Sequence, residues 1–132
     1  MSDASPDHRL GPPRPLREEE IAVIKKLASG TSFESEVFRQ LGDAPVQDMP
    51  DGGMGSIRFC KPDKRRFGKE IAEGLFKDAD GVPVSVTLNL DQHGDLFELD
   101  VWKVDNSPLV RYPDLKDFKV IKGHSKFDAP QR

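Results

Sequence analysis

Between residues 82 and 105 two runs of alternating apolar and polar residues lie either side of a short break, and they constrain the fold more than any other part of the chain. Val82, Val84, Val86, Leu88 and Leu90 alternate with Pro83, Ser85, Thr87, Asn89 and Asp91; Phe97, Leu99 and Val101 alternate with Glu98, Asp100 and Trp102. A period of two marks a strand with one buried and one exposed face, so the segment predicts an antiparallel hairpin. With a two-residue turn at His93 and Gly94, Leu90 meets Phe97, Leu88 meets Leu99 and Val86 meets Val101. A four-residue turn keeps the same faces inside, whereas a three-residue turn flips one strand and conflicts with the pattern.

The rest of the chain supplies cover for that sheet. Residues 18–30, EEEIAVIKKLASG, place Ile21, Ile24 and Ala28 on one stripe with acids in the first turn and lysines near the end, and Gly30 is a natural stop. Thr31 to Glu34 fit a capping box that opens a second helix with Phe33, Val37, Phe38 and Leu41 at helical spacing. Residues 43–55 read as a loop, since Pro45 and Pro50 bar regular structure and three glycines free the backbone. Residues 56–60 and 67–76 read as strands that continue into the hairpin as a meander, and residues 118–121 as a returning edge strand. The expected fold is α+β: two N-terminal helices on one antiparallel meander sheet of four to five strands, with Val86, Leu88, Phe97, Leu99 and Val101 in the core. Residues 14–122 form the domain, 1–13 a flexible proline-rich tail and 123–132 a frayed C-terminal tail.

At 132 residues the chain is the size of one domain. No apolar run approaches the ~20 residues that span a bilayer, and the N-terminal stretch has no apolar leader core, so a soluble cytoplasmic protein is expected. The single cysteine, Cys60, excludes an internal disulfide and a multi-cysteine metal site. Charge is uneven: residues 52–77 carry seven bases against three acids, and residues 78–117 nine acids against three bases. Such a dipolar surface steers a charged protein partner, while the acidic total disfavours non-specific nucleic-acid binding. The plainer reading of both clusters is solvated surface.

Candidate chemistry is sparse. Glu98 and Asp100 project from the same side of one strand about 7 Å apart, a spacing open to acid and base roles, yet solvent-facing carboxylates are ordinarily solubilising and neither shows a cause for a shifted pKa. Trp102 lies on the same polar face and needs cover, from a helix, from residues 106–113 or from a partner. The DGGMGS stretch lacks the phosphate-loop lysine and precedes a strand, so no nucleotide cofactor is implied. His8, His93 and His124 are scattered and the acids around Gly81 lack calcium-loop spacing, so no metal site is expected. Cys60 has basic neighbours that would lower its pKa, but a strand cysteine is ordinarily an inert core residue.

The stretch DADGVPVSVTLNLDQHGDLFELDVWKVDNSPL, preceded by RPLREEEIAVIKKL and DGGMGSIRF, resembles an uncharacterised family of small bacterial domains of unknown function. The resemblance implies a bacterial source and a stand-alone domain, and transfers no catalytic residue or cofactor. Two functions remain. The first is a non-catalytic protein-interaction domain that binds a basic partner through Glu98, Asp100, Trp102 and Asp105, with Lys64, Arg65 and Arg66 as an alternative basic surface. Its background setting, not read from these residues, is immunity to a toxin. The second is a small ligand-binding protein or enzyme with a pocket between helices and sheet, near residues 52–58 and 98–102.

Overall fold

The structure, a computed structural model, describes residues 9–42, 44–61 and 64–123, with Lys122 in its backbone only. His8, His124 and most of both expected tails lie outside these residues. Two helices, α1 (Glu18–Ala28) and α2 (Glu34–Leu41), accompany seven strands: β1 (Arg14–Pro15), β2 (Pro45–Asp48), β3 (Ile57–Phe59), β4 (Phe67–Lys77), β5 (Pro83–Asp91), β6 (Leu96–Lys103) and β7 (Lys119–Gly123). They form one antiparallel sheet in the order β1-β2-β3-β6-β5-β4-β7. The α+β class is as expected; the strand count is not.

The expectation of four to five strands fails at the proline-rich edge. Pro15 pairs with Pro45 at the margin of the sheet, where a missing N–H removes little from the ladder, so β1 and β2 form despite their prolines. Gly11 extends this edge: its N–H donates to the Asp48 carbonyl at 2.9 Å and its own carbonyl accepts from Gln47 Nε2 at 2.9 Å. The simple meander fails as well. β3 lies beside β6, not β4, with the β5–β6 hairpin between them, and Arg66 lies at the tip of that hairpin. There the Gln92 and Arg66 backbones join, and the Gln92 side chain accepts from the Arg66 N–H.

In the hairpin, the register set by a two-residue turn holds from Val84 through Asn89, pairing Val86 with Val101 and Leu88 with Leu99. Nearer the tip it slips, and Leu90 pairs with Leu96. The Asp91 N–H donates to the Asp95 carbonyl, enclosing a three-residue turn whose Gly94 has a φ of 86°. Such a turn alone would expose one strand's apolar face. A bulge at Phe97 adds the compensating residue and restores the inward set. Leu96 therefore joins the main core cluster, and Phe97, buried as expected, packs apart from that cluster beneath the Arg58 and Arg65 guanidiniums, 5.0 and 5.2 Å from its ring centre.

Val23, Ile24, Leu27 and Ala28 of α1 and Val37 and Leu41 of α2 close one face of the sheet over Ile57, Phe59, Val86, Leu88, Leu99 and Val101. Glu20 anchors the start of α1: it accepts from the Arg17 N–H at 2.8 Å and pairs with Arg14, which also grips Asp48. The capping box expected before α2 does not form: the helix starts at Glu34 without a side-chain cap, Thr31 Oγ donates to the Ala28 carbonyl and accepts from the Phe33 N–H, and Glu34 accepts from the Gly30 N–H. After β6 the chain returns toward β7 under two ties. Fully buried Lys103 donates to Asp78, Asp80 and the Pro108 carbonyl, while Asp78 also accepts from the N–H groups of Val110 and Arg111. Lys26 holds the carbonyls of Leu115 and Phe118.

Candidate functional site

The helices cover one face of the sheet; the chemistry of interest lies on the other. Alternation turns Ser85, Thr87 and Asn89 of β5 outward, between two taller walls. Across the ladder Trp102 pairs with Ser85 and Ser85 with Leu75; Asp100 pairs with Thr87 and Thr87 with Glu73; Glu98 pairs with Asn89 and Asn89 with Glu70. These three rows make a shallow trough along β5, floored by small polar residues, with walls two strand spacings, about 10 Å, apart. Lys77 and Lys119 stand at the β4–β7 margin.

The side chains in the trough are held in place differently. Trp102 is 48% exposed and its indole Nε1 donates to Asn106 Oδ1 at 3.0 Å, which fixes the ring while leaving it in solvent. Asn106 adopts a left-handed φ of 63°, a conformation that asparagine tolerates better than most residues. Asp100 is exposed and accepts from Ser56 Oγ at 3.3 Å. Glu73 Oε2 accepts from Ser85 Oγ at 3.1 Å. Glu98 is taken up by Arg58, whose Nε lies 3.0 Å away. Asn89 is 6% exposed, and its Oδ1 has no donor among the described residues.

Three of the four residues expected to bind a partner, Glu98, Asp100 and Trp102, thus share one face. Asp105 does not. It lies in the turn after β6, where the Ser107 hydroxyl and N–H, at 2.6 and 3.0 Å, hold its carboxyl below the usual range. Intramolecular cover of Trp102 is partial: Asn106, from the 106–113 segment, holds the indole, and about half of the residue stays exposed. On the alternative basic surface Lys64 and Arg66 are exposed, but the Arg65 side chain is only 7% exposed and donates to Asp91, the Leu96 carbonyl and the Phe59 carbonyl. Arg65 is a structural tie at the hairpin tip.

Glu70, Glu73 and Leu75 were missed. Outward Glu73, Leu75 and Lys77 alternate with inward Gly74 and Phe76, a readable signal that Gly74 and the irregularity at Ile71 obscure. Burial pushes the Cys60 thiol above its ordinary value against the opposing pull of Arg65, the reverse of the lowering that basic neighbours alone would give. Among the described residues no three His, Cys, Asp or Glu side chains gather as a metal site, and no helix is long and apolar enough to cross a membrane.

A family model described as Domain of unknown function (DUF6984) matches residues 13–113. The chain belongs to that family. The matched span carries the trough's floor and the walls from β4 and β6, while Phe118 and β7 lie beyond it. No curated protein and no solved structure matches the chain.

Proposed function

We propose that this member of the family is a non-catalytic protein-interaction domain that binds a basic partner through the outer face of the sheet. The observation that carries the reading is Trp102, a large aromatic fixed by Asn106 yet half in solvent, beside exposed Asp100. Leaving such a ring uncovered forfeits burial that a partner would recover, and tryptophan is a frequent interface anchor. Arg58 and Glu98, which a catalytic pocket would need available, close on each other on the side away from the helices. The setting proposed is the bacterial cytoplasm, where the lone Cys60 thiol stays reduced, and masking of a toxin's basic surface is the antidote form of the same activity.

The test is a comparison of baits. Wild-type protein and Trp102→Ala, immobilised and exposed to lysate of the source organism, should differ by loss of a basic protein from the variant. Association of the recovered partner should slow with added salt, while Trp102→Ala should raise its dissociation rate at least about tenfold. A partner retained equally by both baits would move the interaction off this face.

A further inference from the structure

We propose that the trough is a seat for arginine: the partner presents an extended segment whose guanidinium enters between Asp100 and Glu73 over Thr87. This rests on the interaction reading above and adds the chemistry of the contact. At the Thr87 row a carboxylate stands on either wall, Asp100 from β6 and Glu73 from β4, while in the next row Glu98 is engaged by Arg58. Acceptors thus flank both sides of a floor of hydroxyl and amide groups.

A second, independent observation selects a donor-rich ligand. Asn89 Oδ1, buried at the inner end of the trough, is an acceptor with no donor among the described residues. Buried acceptors are ordinarily satisfied, so this oxygen is a position that a ligand N–H relieves. Trp102 at the outer end offers an aromatic face to the same cation. A guanidinium suits this set better than an ammonium, because its planar fork of five donors engages several acceptors while stacking on a ring. Successive rows, Asp100 to Glu98 and Thr87 to Asn89, are two residues apart on their strands, about 7 Å. That is also the spacing of alternate side chains in an extended peptide. An arginine-x-arginine segment laid along β5 therefore places one guanidinium at Thr87 and the next toward Asn89. Lys77 and Lys119 repel the segment from the β4–β7 margin and set its position on the β6 side.

Trp102 is the only tryptophan of the chain, so its emission reports on the trough directly. Wild-type protein is titrated with a capped pentapeptide containing arginine-x-arginine, and with counterparts carrying lysine or the uncharged citrulline. The expected result is a saturable change with the arginine peptide, weaker binding of the lysine peptide, and at least about tenfold weaker binding of the citrulline peptide. Asp100→Asn combined with Glu73→Gln should weaken the arginine peptide about tenfold, whereas Glu18→Gln with Glu19→Gln, the same charge change on the exposed first turn of α1, should leave it unaltered. No saturable change, equal binding of the citrulline peptide, or equal loss in the α1 variant overturns the seat. A natural partner lost with Trp102→Ala but retained by the Asp100 and Glu73 variant would keep the interaction face and reject the arginine seat.

Discussion

Lys103 shows how a charge is kept inside a small core. Its ammonium is fully buried, and burial by itself would lower its pKa, but the hydrogen bonds it donates to Asp78 and Asp80 override that and hold it above the usual lysine value. For Asp78 burial acts to raise the carboxyl; Lys103 and the N–H groups of Val110, Ala79 and Arg111 win, and its pKa falls to about 2. The directions fix the pH window. A depressed Asp78 contributes stability that is complete above its unfolded value of about 4 and is lost as pH falls toward about 2. A raised Lys103 contributes below its ordinary value and loses that only in strong alkali. Asp78→Asn should therefore lower the denaturation midpoint near neutral pH, and its gap from wild type should close between about pH 4 and pH 2. A gap that persists unchanged to the acid limit would show that the tie works through shape, without its charge.

Among the elements, β4 and β7 are joined at a glycine. A Cβ on Gly74 would stand 2.3 Å from Phe118 Cζ, so the Phe118 ring occupies the space a side chain would take. Gly74→Ala should destabilise the protein, and far less so in a Phe118→Ala background, with a coupling of about 0.5–3 kcal/mol in a double-mutant cycle followed by denaturant. Additive costs would mean that the ring and the glycine do not share this contact. In the hairpin, Leu88 and Leu99 face each other fully buried in the core, and replacement of either by alanine should cost about 2–5 kcal/mol by equilibrium unfolding. A cost under about 1 kcal/mol for either would contradict their inward register.

At the scale of the whole molecule, the proline-rich edge contributes its own ties to the sheet. A chain starting at Arg9 keeps the two bonds of Gly11 to β2; one starting at Arg14 loses both, about 1 kcal/mol each, and should melt measurably earlier. Equal melting would place the boundary at Arg14. The local features are the ones legible in the amino-acid order. The helix stripes of α1 and α2, and the alternation that turns Glu98, Asp100 and Trp102 to one face, follow from side-chain direction along a single element, which depends only on near neighbours. Partnership is different. A two-residue β1 and a four-residue β2 exist because each finds an edge, and β3 joins β6, across the hairpin from β4. The bulge that exchanges Leu96 for Phe97 answers a turn whose length the alternation could not reveal. The burial of Arg65, the exposure of Trp102 and the convergence of β4 and β6 on one trough depend on residues far apart in the chain. Tertiary structure decided them, because pairing and cover are set by closing loops and excluding water across the whole fold.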